Sequence, residues 1–414
     1  MKDFLTRLSK ARFPYEPLIV VHISRRRIIH NLNEFGKLAP NRKIAPVLKS
    51  NSYGHGLIEI ARILEHEKNQ RDMTSVAASI PFMVVDSYFE AIALRSNGIR
   101  TPILVIGYTP PSTIARARLK DTSFTITSLE ALRQLSELEM PHWSEYFCQG
   151  KVSFLTSLFP KRHKIHIKID TGMRRQGILP HEVTQAIEII QKDELLQLEG
   201  ICSHLSDADN IDSSFTESQV TVWNRVTKQF RSAFPHLKYL HLSNTDGHRF
   251  TTDIDANVSR LGIGMYGLIN GSSFQPELDL QPVMEMKTIL TSTKKLEIGE
   301  TVGYSNTFAA DRNMMVATIP VGYYEGLDRR LSNRGTVLVG PERIPCPIIG
   351  RVSMNIASID ISHVANPEIG MEVIVISNYK NDPNSLENIA TLCGTIAHES
   401  AVKIPAHLKR VVVE

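Results

Sequence analysis

The sequence predicts an α/β barrel, (β/α)8 of TIM type, followed by a C-terminal all-β domain, and three observations carry that prediction. Between residues about 44 and 268, short β-branched apolar runs alternate with helix-period stretches, the pattern of a parallel α/β sheet. Eight strand candidates fit into roughly 230 residues, a density that favours a closed barrel over an open doubly wound sheet. Beyond residue about 275 the helical period fades, and strands separated by Gly, Pro, Asn and Asp turns take over.

The barrel strands are expected at 44–49 (IAPVLK), 79–86 (SIPFMVVD), 102–107 (PILVIG), 123–127 (SFTIT), 164–170 (KIHIKID), 196–205 (LQLEGICSHL), 238–244 (KYLHLSN) and 260–268 (RLGIGMYGL). Between them GLIEIARILEH, YFEAIALRSNG, SLEALRQLSEL, EVTQAIEIIQK and FTESQVTVWNRVTKQF repeat apolar residues three or four apart, so they read as barrel helices. The all-β domain is expected from MEMKTILTSTKKL, MMVATIPVGY, GTVLVG, IPCPIIGRVSMNIASIDI and MEVIVIS. The resulting division is an N-terminal segment at 1–25 packing with the β-domain, the cofactor-binding barrel at 26–270 and the β-domain at 271–414, with 270–282 as linker. The stretch 142–160 is long and aromatic for a barrel connection, and its role is unreadable.

With 414 residues, 42% hydrophobic and 22% charged, the chain has material for two sizeable cores. The net charge of +4 is small, and Arg25-Arg26-Arg27 reads as the exposed start of a helix, so no nucleic-acid partner is expected. Cys148, Cys202, Cys346 and Cys393 lie far apart, which argues against a disulfide framework or zinc site and fits a reducing cytoplasm. There is no apolar run for export or for crossing a membrane, so a soluble cytoplasmic protein is expected.

Barrels of this kind place their chemistry at the C-terminal ends of the strands. Those ends collect Lys49 and Tyr53, Asp170 to Arg175, His204, Asn244 and Thr245, then Arg260 and Gly262. Lys49 follows an apolar run and opens a glycine-punctuated turn, so it reads as a Schiff-base lysine whose amine is activated by desolvation. A solvated lysine at a turn is the competing reading, because spacing does not encode pKa tuning. Ser243-Asn244-Thr245 and Gly262-Ile263 suit an anionic phosphate ester, and phosphate with a reactive amine suggests pyridoxal 5'-phosphate.

Three other readings fail on context. GIGMYG at 262–267 satisfies the G-x-G-x-x-G pattern, but NGSSFQPELDLQP follows it and makes no helix, so a dinucleotide fingerprint is refused. His163 and His166, like His236 and His241, lack ligand geometry and read as structural. Ser203, His204 and Asp207 imitate a hydrolase set without the nucleophile elbow, so His204 reads as a hydrogen-bonding pocket residue.

Six ordered motifs then stand together: VLKSNSYGHG, IKIDTGMRRQGI, VSRLGIGMYGL, GETVGYSNTF, IPVGYYEGLDRR and IIGRVSMNIASID. Over nearly its whole length the chain resembles bacterial alanine racemases, fold-type III pyridoxal-phosphate enzymes. The resemblance implies that Lys49 holds the cofactor while Tyr53, Asn244, Thr245, Gly262 and Ile263 surround its phosphate. It implies further that Arg260 faces the pyridine nitrogen, Arg175 the cofactor phenolate and substrate carboxylate, and that Lys168 is a supporting residue, carbamylated in many relatives. An arginine accepts no proton, so that nitrogen stays neutral and simple proton exchange at Cα is favoured.

Racemisation needs two opposed bases, and the resemblance pairs Lys49 with Tyr304, supplied by the partner subunit and hydrogen-bonded to His204. Without the resemblance, Tyr304 is a turn tyrosine. Tyr323 and Met354 match further partner residues near the entrance and the substrate carboxylate, which implies a homodimer with shared sites acting on a small amino acid. Three departures stand out: His398 for the usual tyrosine, Asn355 for aspartate, and Ser353 where cysteine is frequent. The expectation is alanine racemisation supplying D-alanine for peptidoglycan. Alternatives are a racemase accepting serine or basic amino acids, a non-catalytic cofactor-binding protein, and a decarboxylase, whose glycine-run and cysteine motifs are not found.

Overall fold

The computed structural model describes residues 16–70, 76–138, 162–210, 214–249, 254–269 and 278–414. They form two compact units: Arg27–Leu280, and the segment before Arg27 together with Gln281–Glu414. The stretch 142–160 and most of the 270–282 linker lie outside the described residues.

The first described strand, β1 (Val20–Ser24), belongs to the second unit. Helix α1 (Arg25–Leu38) leads into the parallel strands β2 (Lys43–Pro46), β3 (Met83–Val85), β4 (Ile103–Val105), β5 (Thr122–Ile126), β6 (His163–Lys168), β7 (Leu196–Cys202), β8 (Tyr239–His241) and β9 (Val258–Leu261). Strands β3 to β8 pair in chain order, and β2 pairs with β9. A Val47–Val84 bridge ties β2 to β3, while Arg260 N donates to Ser243 O at 3.0 Å and ties β9 to β8. The sheet therefore curls shut as an eight-stranded barrel. Every residue of β3 and β4 is buried, as expected for parallel strands covered on both faces.

Helices α2 (Leu57–Lys68), α3 (Tyr88–Ser96), α4 (Pro111–Arg116), α5 (Leu129–Glu137), α6 (Val183–Lys192) and α7 (Ser214–Ala233) alternate with the strands. Their starts follow local chemistry. Ser87 accepts from Glu90 N while the Glu90 carboxylate accepts from Ser87 N, a capping box that opens α3. Ser128 caps α5 in the same way, without the reciprocal bond. Along α7, Val220, Trp223, Thr227 and Phe230 are buried at helical spacing, and Trp223 Nε1 donates to Asp255 O at 3.0 Å.

Several strands are shorter than their apolar runs. The 260–268 run is strand only to Leu261, after which Gly262 breaks the extended backbone and Ile263–Tyr266 forms a 3-10 turn. Glycine is required here by crowding, because a Cβ on Gly264 would lie 2.5 Å from the Phe35 ring. At 79–86 the strand begins at Met83, since Val76–Ser79 is itself a 3-10 turn. Likewise 196–205 ends as strand at Cys202, and 238–244 is strand only across Tyr239–His241.

In the second unit a nine-stranded sheet runs in the order β11-β14-β17-β16-β15-β18-β10-β1-β19. Its strands are β10 (Met284–Ile289), β11 (Ser292–Leu296), β14 (Met314–Ile319), β15 (Thr336–Val339), β16 (Ile344–Ile349), β17 (Ala357–Asp360), β18 (Glu372–Ile376) and β19 (Lys409–Val413), joined by β1. A separate small hairpin pairs β12 (Thr301–Val302) with β13 (Phe308–Ala309). β1 pairs antiparallel with β10, Val20 opposite Lys287, and parallel with β19, Val20 opposite Lys409. The unit also holds α8 (Leu386–Cys393) and α9 (Ala397–Val402), too short to stand out by helical period. Among the described residues no helix is long and apolar enough to cross a membrane.

Candidate active site

The turn after β2 places the lysine. Leu48 N donates to Val84 O at 2.7 Å, and the chain then leaves the sheet at Lys49. Ser50, Asn51, Ser52 and Tyr53 all hold φ between +52° and +56°. Each non-glycine residue in that region costs about 1–2 kcal/mol, so four in succession persist only where their surroundings fix them. Asn51 Oδ1 accepts from Leu57 N at 2.9 Å, Ser52 N donates to Leu48 O at 2.8 Å, and Gly56 N donates to Asn51 O at 3.0 Å. The fully buried His55 stacks on Tyr266 with 4.2 Å between ring centroids. The turn is thereby locked.

Burial lowers the Lys49 amine pKa; the Asp86 charge opposes this, Arg175 and Arg260 reinforce it, and Glu90 opposes it more weakly. The surface-lysine reading does not fit those surroundings.

Tyr53, Thr245 and Gly262 come together beside this turn. A Cβ on Gly262 would lie 2.7 Å from Tyr53 Oη, so glycine alone leaves the phenol its place. Burial pushes Tyr53 up to about 12, so it stays a protonated donor at neutral pH. Thr245 Oγ1 accepts from Gly262 N at 3.2 Å and from Gly264 N at 3.4 Å, next to Ile263. Asn244 Oδ1 accepts from Gly247 N at 2.9 Å and shapes the preceding loop.

Arg260 is the buried hub of the barrel. Its NH1 donates to His241 O at 2.7 Å and His241 Nδ1 at 2.8 Å, and its NH2 to Ser203 O at 2.6 Å, Leu242 O at 3.1 Å and His204 Nδ1 at 3.2 Å. No carboxylate neutralises it among the described residues, and its Nε makes no hydrogen bond there. Burial, then the Arg260 charge, hold His241 and His204 well below the ordinary imidazole value and bring His166 down to about 3. These imidazoles are neutral at physiological pH. Because arginine only donates, His241 Nδ1 is the acceptor, so its Nε2 carries the proton and donates to His166 Nδ1 at 2.8 Å. By the same logic His204 Nε2 carries a proton.

His166 and His241, which read as structural in the sequence, are thus tied to the site through Arg260. His166 on β6 and His241 on β8, with Gly200 of the intervening β7 leaving room for the His166 ring, were the available signal. Arg260→Met would strand three carbonyls and two imidazoles, at about 1–3 kcal/mol for each acceptor that finds no substitute. We expect a thermal midpoint lower by roughly 6–12 °C in the full-length chain, read by scanning calorimetry. An unchanged midpoint would remove Arg260 from the framework.

Lys168, at the end of β6, donates to Gln176 Oε1 at 3.2 Å. Burial lowers its pKa, the Cys202 charge opposes this, and Arg175, Arg260 and Lys49 reinforce it. Gln176 is a site residue that motif reading passes over. Asp170 Oδ1 accepts from Gly172 N at 2.8 Å and Arg174 N at 3.1 Å, holding the loop that presents an exposed Arg175. A half-buried phenol, a guanidinium Nε with no hydrogen bond among the described residues and a shielded amine form a donor set that fits an aryl phosphate bearing an aldehyde and a ring-nitrogen acceptor. No cluster of three or more His, Cys, Asp or Glu among the described residues could hold a metal ion.

The remaining candidates lie in the second unit. Tyr304 sits in a 3-10 turn between β12 and β13 and is 68% exposed; Met354 and Tyr323 are 56% and 44% exposed. Tyr323 N donates to Ser353 O at 3.0 Å and Tyr324 N to Met354 O at 2.9 Å, so two loops present these side chains together. A Cβ on Gly322 would lie 2.3 Å from both carbonyls, which requires the glycine. Asn355 Nδ2 donates to Glu325 Oε1 at 2.6 Å, and Glu325 Oε2 accepts from Gly322 N at 2.8 Å. The asparagine therefore gives the buried carboxylate a neutral donor where an aspartate would set two like charges together. His398 lies on α9.

Residues 23–270 match the family model "Alanine racemase, N-terminal domain" and residues 283–412 match "Alanine racemase, C-terminal domain". Alanine racemase 2 of Caldanaerobacter subterraneus subsp. tengcongensis is 31% identical over 398 residues, covering 95% of this chain and 94% of the relative. The solved alanine racemase of Clostridium difficile 630 superposes with a TM-score of 0.82 at 27% identity, covering 97% of each chain. That of Bacillus anthracis with bound L-Ala-P gives 0.81 at 25% identity, covering 97% of this chain and 96% of that one.

Proposed function

The chain belongs to the alanine racemase family, and from that premise we propose that Lys49 and Tyr304 are the two bases of its active site. It is an isomerase that interconverts L- and D-alanine with pyridoxal 5'-phosphate as cofactor. When bound, that cofactor supplies an electron sink for the pair left at Cα as its proton departs.

The buried, carboxylate-free Arg260 carries the reading. Its Nε, unengaged among the described residues, supports the reading of a donor to a ring nitrogen that, unlike an acid, would leave that nitrogen unprotonated. Tyr53, Thr245 and the Gly262–Ile263 backbone hold the phosphate, with Asn244 shaping their loop. Arg175 receives the substrate carboxylate and the cofactor phenolate, and Lys168, carbamylated or bonded to Gln176, orients it.

Each face of Cα needs its own base. Lys49 Nζ takes one, its amine freed for proton transfer by burial. Tyr304 of a second copy takes the other, and its exposure together with that of Tyr323 and Met354 supports a homodimer in which each copy completes its partner's site. The protonated Nε2 of His204 is a donor suited to the Tyr304 oxygen. The cellular role is D-alanine supply for peptidoglycan in the cytoplasm. His398, where a tyrosine is usual, favours as second reading a broader substrate range that includes serine.

Incubation of L-alanine in deuterated water tests the assignment. Loss of optical rotation with deuterium at Cα is expected, and carbon dioxide release would point to decarboxylation and overturn it. The same assay on serine and basic amino acids decides between the two substrate ranges.

A further inference from the structure

Asp86 ends the buried run of β3, where the parallel strands open toward the barrel mouth. Both Lys49 and Asp86 stand two residues beyond the Val47–Val84 bridge. Phe82 points into the barrel, with its ring 5.6 Å from both His166 and His241, and it clusters there with Val84. Strand alternation carries that direction on to Asp86. The pairing with β4 persists to this level, since Ile106 N donates to Val85 O at 2.9 Å and Gly107 N to Asp86 O at 2.8 Å.

The carboxylate itself is uncommitted. Asp86 is exposed, its backbone N–H donates to Glu90 Oε2 at 2.8 Å, and its side chain makes no hydrogen bond or ion pair among the described residues. Glycine stands at the neighbouring strand end because a Cβ on Gly107 would lie 2.4 Å from the Asp86 backbone oxygen, and 3.0 Å from its Oδ2.

We infer that Asp86 is the counter-charge of the lysine centre, a positioning residue that steadies the free Lys49 amine at the barrel mouth whenever the amine is not bonded to the cofactor. Four charges act on that amine: Asp86 from β3 and Glu90 from α3, which favour the ammonium, and Arg175 after β6 and Arg260 from β9, which oppose it. Lys168 on β6 and His204 after β7 also face it, each disfavoured as a cation by burial first and by Lys49 least. Asp86 is the strongest of the four. The ammonium is the form an amine takes after giving up the cofactor carbonyl and gaining a proton, so a carboxylate at this point keeps it beside the site. This rests on reading Lys49 as the cofactor anchor.

The test is competitive labelling of full-length chain freed of cofactor, using trace acetic anhydride across a pH series, with Lys49 compared by mass spectrometry against the exposed Lys295. Asp86 favours the ammonium, so Asp86→Asn should move the Lys49 labelling midpoint to lower pH by about half to one unit, which is roughly three- to tenfold more free amine on the flank. Asp86→Glu should keep the midpoint near wild type, and Glu90→Gln should shift it less than Asp86→Asn. An unmoved midpoint in a folded Asp86→Asn chain overturns the proposal. So does a midpoint unmoved while turnover of cationic amino acids alone collapses, because the carboxylate then reads substrate. Labelling needs no turnover, so failure of the two-base reading would leave this result interpretable.

Discussion

Mixed with Tyr304→Ala chains, Lys49→Ala chains should regain alanine racemisation that neither has alone. Each homodimer lacks one base in both sites, and loss of a positioned acid-base group lowers the rate by about 10²–10⁴-fold. In a heterodimer one site lacks both bases, while the other combines an intact Lys49 from one copy with an intact Tyr304 from the other. Random pairing makes half the molecules heterodimers, each with one competent site, so recovery should approach about a quarter of wild type. Co-expression with two affinity tags isolates the heterodimers, and a D-alanine assay on that doubly purified fraction should then read about half of wild type. Recovery at the background of the parents would place Tyr304 in its own chain's site, or in none.

That arrangement was only partly legible in the sequence. The barrel was, because eight β-branched runs separated by helix-period stretches encode burial on both faces of a parallel sheet, and Val47, Val84 and Leu104 do line its interior. The extent of the last strand was not. RLGIGMYGL reads as one apolar run, yet the chain leaves the strand at Gly262 and sets Gly264 close against Phe35 in a 3-10 segment, a tertiary contact with no local signature. Lys49 was visible as an amine at a strand end, but the surroundings that tune it come from β3, α3, β9 and the loop after β6. His241 and His166 illustrate the same limit: only curling the sheet brings them in line with Arg260. Asn355 looks like a defect in a motif, whereas its contact with Glu325 makes it a compatible substitution.

Tyr304→Phe should produce the other large effect, and its signature is asymmetry between enantiomers. The ring is kept and only the hydroxyl is lost, so the exposed turn between β12 and β13 has no reason to refold. Racemisation should fall by about 10²–10⁴-fold, because the proton taken from one face finds no partner delivering another to the opposite face. Lys49 remains, however, and still removes and returns a proton on its own face. One enantiomer of alanine should therefore exchange its Cα hydrogen with solvent deuterium at a substantial rate without inverting, while the other barely exchanges. Proton spectra of each pure enantiomer in deuterated water measure both rates. Equal loss for both enantiomers would mean that the hydroxyl supports the whole site and is no base; equal retention would mean that Tyr304 stands outside the chemistry. The Lys49 variants provide no mirror experiment, since removing that amine also removes the anchor, so stereochemical asymmetry in Tyr304→Phe is the cleaner measure of two bases acting from two faces.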